Sequence, residues 1–360
     1  MLCSLEAGGA QAMIINVYKN IDKRKFHFDF VIDHQSANNA LIPIVEDLGC
    51  KVYYLEQFNG FNCFQVVSSW KNFFKKHNEY DILHIHGCSY SSLFIPVAKK
   101  NNLKVIMHSH SVTNGKNIKG LISDFFQYPI RFQANFFLSC SKKSGEWAFG
   151  KRIVNGKYFL VIKNAIDTKR FAYNQAVRAD YRSRYCVANK TVFVNVGRFH
   201  VAKNHSFLLK VFSKICRADK SAVLWLIGDG KLKKRIQKKV CKLEIADKVL
   251  FFDNRNDIPN ILQAADCFLF PSKYEGLGIV AIEAQASDLF CICSNKVPND
   301  VCLTSKCFFL PLREKKWVDF IANLNLFTQR KNVSETIVNA GYDMGLTCQS
   351  IENLYNSLVI

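Results

Sequence analysis

Glu275 and Glu283 stand in the segment Phe270-Pro271-Ser272-Lys273-Tyr274-Glu275-Gly276-Leu277-Gly278-Ile279-Val280-Ala281-Ile282-Glu283-Ala284. An apolar run leads into a glycine-bearing loop, and the loop opens a helix. Backbone N–H groups at such a helix start lack intrahelical partners and, with the helix dipole, make an anion site. Glu275 precedes the loop. Glu283 is expected two turns into the helix, on the face that holds Ile279 and Ile282. A carboxylate there needs donors, and sugar or ribose hydroxyls supply them. The spacing alone describes a helix-start acid and a surface Glu; the strand–loop–helix context is what gives it chemical meaning.

A second constellation lies upstream in Val194-Asn195-Val196-Gly197-Arg198-Phe199-His200-Val201-Ala202-Lys203-Asn204. Here a strand end delivers Arg198, and Lys203 follows just before a helix. Two cations so placed can hold a diphosphate and offset its charge as it departs. As an isolated pair they would read as solvated surface charges. Among the histidines, His84 and His86 alternate along one strand and are read as facing opposite sides, with His86 either on the acceptor side of a site or buried and hydrogen-bonded. His110 follows another strand, at the end where ligands of such sheets bind.

These residues need a scaffold that brings strand ends together. Short apolar runs alternate with helical stretches along the chain, the pattern of parallel sheets covered by helices. In the first half, strands are predicted at 28–32, 51–55, 82–86, 104–108 and 136–140, with helices at 11–19, 64–77 and 91–100. In the second half, strands are predicted at 192–196, 223–227, 249–252, 267–270 and 289–293, with helices at 205–217, 231–243, 258–264 and 278–286. The division falls near 159–167, and 349–358 reads as a closing helix. The expected domains are 1–160, 161–345 and the helix-bearing tail 346–360.

Composition narrows the class. A hydrophobic fraction of 49% with 22% charged residues is that of a globular protein. No apolar run approaches the roughly 20 residues of a membrane-spanning helix. The start has no basic stretch followed by an apolar one, so a cytoplasmic location is expected. Fourteen cysteines are scattered without a C-x-x-C pair, which argues against a zinc centre and for buried reduced thiols. The net charge of +20 is spread over both halves. It suits phosphorylated substrates, anionic lipid or nucleic acid, but no nucleic-acid motif accompanies it.

Taken together, these segments resemble the retaining glycosyltransferases of the GT4 family, which have the GT-B architecture. The likeness to bacterial capsular and exopolysaccharide transferases is the nearest, and it spans almost the whole chain. It also rests on Gly8-Gly9-Ala10-Gln11, Asp81-Ile82-Leu83-His84-Ile85-His86, His108-Ser109-His110-Ser111, Ser139-Cys140-Ser141 and Asn164-Ala165-Ile166-Asp167. The resemblance implies an α/β fold of two Rossmann-like domains facing each other across a crevice. It implies transfer of a hexosyl-type residue from a nucleotide diphosphate sugar, with a uridine diphosphate sugar the expected donor, to a glycan or lipid-linked acceptor. The reaction retains the anomeric configuration and uses neither protein nucleophile nor metal. By the same resemblance Arg198 and Lys203 hold the donor diphosphate, Glu283 the ribose and Glu275 the donor sugar. The N–H groups of Gly276, Leu277 and Gly278 face sugar and phosphates, Gly8 and Gly9 approach the phosphate, Asn254 and Arg255 lie near the base, and His110 is the active-site histidine.

Three departures qualify this. The chain begins seven residues before Gly8, so most of the family's first strand is expected to be missing from the amino-terminal sheet. Gln11 and Gly278 stand where Glu and Pro are common. The stretch 64–77 is basic, aromatic and amphipathic; it is expected either to pack in the domain core or to lie on an anionic membrane. Competing readings are a non-catalytic sugar-nucleotide-binding protein and a nucleotide-sugar 2-epimerase.

Overall fold

The computed structural model describes residues 1–5, 9–33, 39, 41–110 and 124–359. These form two compact units, Met1–Ala165 with Met344–Ile360, and Ile166–Asp343.

In the first unit β1 (Phe30–Ile32) pairs in parallel with β2 (Val52–Tyr54). The strands β3 (Ile82–His86), β4 (Lys104–Ser109), β5 (Phe136–Ser139) and β6 (Phe159–Val161) form a parallel sheet in that order. Residues 1–2 lie between β1 and β3. The Leu2 N–H donates to the Val31 carbonyl at 2.9 Å, the Met1 amino group donates to the His84 carbonyl at 2.7 Å, and the His86 N–H donates to the Met1 carbonyl at 3.0 Å. Beside them a cavity of about 590 Å³ opens between the two strand groups, lined by Phe28, Phe30, Tyr53, Tyr80, Ile82 and His84 among others.

Helices cover these strands through residues three and four apart, which share one face. Gly9–Asn20 turns Met13, Ile14, Val17 and Tyr18 inward. The closing helix, Met344–Val359, brings Ile351, Leu354 and Tyr355 to the same core. Cys63–Lys76 buries Val66, Trp70, Phe73 and Phe74, and Trp70 stacks on Phe94 at 4.2 Å. The apolar face of 64–77 is therefore core. What this region turns outward is Phe61 and Phe64, 96% and 88% exposed.

The second unit is a six-stranded parallel sheet ordered β12-β11-β10-β7-β8-β9. Its strands are β7 (Thr191–Val196), β8 (Ala222–Ile227), β9 (Val249–Phe252), β10 (Cys267–Phe270), β11 (Phe290–Ser294) and β12 (Cys307–Leu310). Both faces are covered, so β8 and β10 are buried throughout, as their continuous apolar sequences require. Chain order reverses at β7, whose neighbours are β10 and β8. Asp266, at the foot of β10, braces this point. Its carboxylate accepts from the Val192 N–H at 2.7 Å and pairs with Arg178 and Arg182 of the helix Gln175–Arg184.

The ten strands read from sequence are present with shifts of one or two residues at their ends. Two more strands, β6 and β12, are short apolar runs that are not among those read from sequence. All fourteen cysteines are free thiols. No described helix is long and apolar enough to cross a membrane.

Candidate active site

In an open parallel sheet, ligands bind at the carboxyl ends of strands where chain order reverses, because the loops there diverge and leave room. In the second unit that place lies between β7 and β10. The loop after β7 carries Arg198 and Lys203, and the loop after β10 carries Glu275 to Gly278. The two are tied together: the Lys273 N–H donates to the Ala202 carbonyl at 2.7 Å, and the Lys203 ammonium donates to Glu275 Oε1 at 2.7 Å. Lys203 also stands 5.0 Å above the Phe270 ring, a favourable place for a cation. An ammonium has three donors, so pairing with Glu275 leaves Lys203 able to hold a phosphate oxygen.

Arg198 is exposed and has no ion-pair partner among the described residues. Its loop is packed from below by Gly228 and Gly230, both at positive φ. A Cβ on Gly230 would lie 2.8 Å from the Phe199 carbonyl oxygen and 3.0 Å from Arg198 Cγ, so that turn admits only glycine. The Gly-Asp-Gly segment thus sets where Arg198 emerges.

Gly278 takes a left-handed conformation, φ 93, and the helix begins after it at Ile279. Glu283 accordingly lies just over one turn into the helix instead of two. Although the side chain stays partly accessible, its dense surroundings push the carboxyl up to about 7, with the charge of Arg170 opposing the shift. A group poised there can accept hydroxyl hydrogen bonds as a carboxylate once a ligand arrives.

Arg255, expected near the base, is engaged by a neighbouring carboxylate. It makes a two-pronged ion pair with Asp257, at 2.7 and 2.6 Å, which holds the Asp257 carboxyl down at about 2. Tyr181 also donates to Asp257, at 2.8 Å. The guanidinium is therefore part of the wall between helices, while Asn254 beside it is exposed.

His110 belongs to the first unit, at the end of β4, with Gly9 at the start of the helix Gly9–Asn20; Gly8 lies outside the described residues. Burial lowers the His110 imidazole to about 4, and its Nε2 meets His86 Nδ1 at 3.0 Å. The reading of His84 and His86 on opposite sides is wrong. Their rings stack at 4.3 Å, because residues two apart on a strand share a face. His86 also pairs in register with His108 on β4, so the sheet gathers four imidazoles that sequence reasoning treated singly. The repeated His-x-His on neighbouring strands was the available signal.

Comparison with known proteins agrees with this architecture. Residues 181–305 match the family model described as glycosyl transferases group 1. The chain is 28% identical to the putative glycosyltransferase EpsF of Bacillus subtilis (strain 168), over 99% of this chain and 95% of that protein. It is 26% identical to the UDP-Gal:alpha-D-GlcNAc-diphosphoundecaprenol alpha-1,3-galactosyltransferase of Escherichia coli, over 79% of this chain and 77% of the other. HepE of Anabaena in complex with UDP superposes with a TM-score of 0.75 at 17% identity, covering 99% and 98% of the two chains. The fold is GT-B and the protein is a glycosyltransferase. Within that class its sequence resembles the group 1, GT4-like enzymes, with residues 181–305 carrying the family match.

Proposed function

We propose that this glycosyltransferase moves a hexosyl-type residue from a uridine diphosphate sugar to a glycan or lipid-linked acceptor, with retention, in the assembly of a surface polysaccharide. The observation that carries this is the pairing of Lys203 with Glu275 beside Arg198, which has no ion-pair partner among the described residues, at the point where the sheet order reverses. The pair holds Glu275 where donor sugar hydroxyls would be read, and the two cations meet the diphosphate. The uridine nucleotide and polyprenyl-linked acceptor are supported by what HepE binds and by what the Escherichia coli relative acts on.

In this reading the acceptor hydroxyl attacks the anomeric carbon from the face the diphosphate leaves, and the leaving phosphate takes the hydroxyl proton. Arg198, Lys203 and the helix start at Ile279 offset the charge that grows on the diphosphate, so no metal is needed there. Glu283 accepts from the ribose hydroxyls. Such an enzyme works at the cytoplasmic face of a membrane, and Phe61 and Phe64 with the lysines of 63–76 are the surface that would rest on anionic lipid.

The test is turnover of a panel of nucleotide sugars, with the anomeric configuration of the product read by NMR. Arg198→Ala and Lys203→Ala should each lower kcat about 100-fold, the scale of one lost transition-state donor, and added Mg²⁺ should leave turnover unchanged. Full activity in a correctly folded double variant would falsify the assignment.

A further inference from the structure

The four-histidine block of the first unit does more than pack. We infer that His84, His86 and His108 of the first unit form a binding site for a divalent transition metal of the zinc class. One ring nitrogen from each of the three lies within 4.8 Å of the others. They come from paired parallel strands, His84 and His86 from β3 and His108 from β4, so their backbone positions are held by the sheet ladder.

The polar groups of this block are otherwise hard to account for. His108 is fully buried, and neither of its ring nitrogens has a hydrogen-bond partner among the described residues. A neutral imidazole presents one N–H donor and one lone pair, and leaving both unpaired in the interior is unfavourable. His84 Nε2 is likewise buried and has no partner among the described residues. His84 Nε2 and one ring nitrogen of His108 can therefore each offer an unused lone pair within this block. A cation meets that arrangement; a neutral apolar filling does not.

The remaining nitrogens are arranged as a metal site would need. His84 Nδ1 meets the Tyr355 hydroxyl at 2.7 Å. With Nδ1–H donating there, the lone pair stays on Nε2. His86 Nδ1 is engaged by His110, which leaves His86 Nε2 as its ligand atom. Partners of this kind fix the tautomer and orientation of metal-binding imidazoles. Nitrogens on one tetrahedral ion lie about 3.3 Å apart, given Zn–N bonds of about 2.0 Å. Because the rings of His84 and His86 and of His84 and His108 lie stacked, each must turn about its Cβ–Cγ bond to aim its in-plane lone pair at the ion and draw the nitrogens together. Three neutral nitrogens suit zinc, cobalt or nickel over magnesium or calcium, which prefer oxygen. Expectations from sequence considered cysteine spacing alone and so passed over this site.

The experiment uses the full chain, made without a polyhistidine tag, stripped with chelator and desalted. Titration with Co²⁺ should give the visible absorption of a tetrahedral nitrogen-rich site, saturating at about one equivalent as a single ion requires. Zn²⁺ should displace it and raise Tm, as any ligand of the folded state does. The His84→Gln, His108→Gln double variant should lose the band. Tyr355→Phe should weaken Co²⁺ about 10-fold, the usual effect of removing a group that orients a ligand. Absence of the band in the unaltered protein overturns the inference, as does undiminished binding in the double variant. If that variant does not fold, unchanged affinity in Tyr355→Phe overturns it equally.

Discussion

At the scale of single residues, Glu283 carries the clearest consequence. Its folded value of about 7 exceeds that of an unfolded Glu, about 4.3. Between those values the folded chain holds a proton that the unfolded chain has released, so the contribution to stability falls as pH rises from about 4 to about 7. Glu283→Gln should flatten that slope and leave the empty protein more stable than its parent at pH 8, measured by urea unfolding. Donor binding runs the other way, because ribose hydroxyls donate to a carboxylate. Affinity for an intact nucleotide diphosphate sugar, which does not itself titrate near neutrality, should rise from pH 6 to pH 8 in the parent and stay level in Glu283→Gln. Equal pH dependence in both proteins, followed by calorimetry, would remove Glu283 from the ribose site.

Elements decide where these residues stand. Arg198 is held by a turn whose floor is the Gly228–Gly230 segment after β8, and the clearance there is below what a Cβ needs. Gly230→Ala is expected to destabilise the second unit by about 1–3 kcal/mol, the range for a residue forced into a sparsely populated conformation. Because the displaced backbone is that of residues 197–199, donor affinity should fall with it even under conditions where the variant is folded. A variant that loses stability but binds donor normally would show that the glycines serve the turn alone. In the sequence this segment is only Gly228-Asp229-Gly230 after an apolar run. Its meaning came from the neighbouring strand, since β7 and β8 pair from Thr191↔Ala222 to Val196↔Ile227 and so bring both loops to one end of the sheet.

At the scale of the molecule, the net charge of +20 and the outward aromatics bear on where the enzyme works. Helix 63–76 keeps its apolar face in the core, so lipid docking as proposed must rely on Phe61, Phe64 and surrounding lysines rather than on insertion of the helix. Phe61→Ser, Phe64→Ser should reduce flotation with anionic liposomes several-fold while leaving thermal stability within about 0.5 kcal/mol, as for exposed positions. Binding should also weaken as salt screens the charges. Flotation unchanged by both the substitutions and salt would refute docking through this surface.

Much of the protein was legible along the chain. The strand–helix alternation and the glycine loop before a helix are local patterns, carried by hydrophobic period and turn residues. Tertiary structure decided the adjacencies. Lys203 and Glu275 are 72 positions apart and meet because β10 lies beside β7. His86 and His108 meet because β3 pairs with β4 in that register. Arg255 is committed to Asp257, two positions on. Periodicity tells each residue which way to face, but only strand order and register tell it whom it faces, and those are settled by burial over the whole sheet.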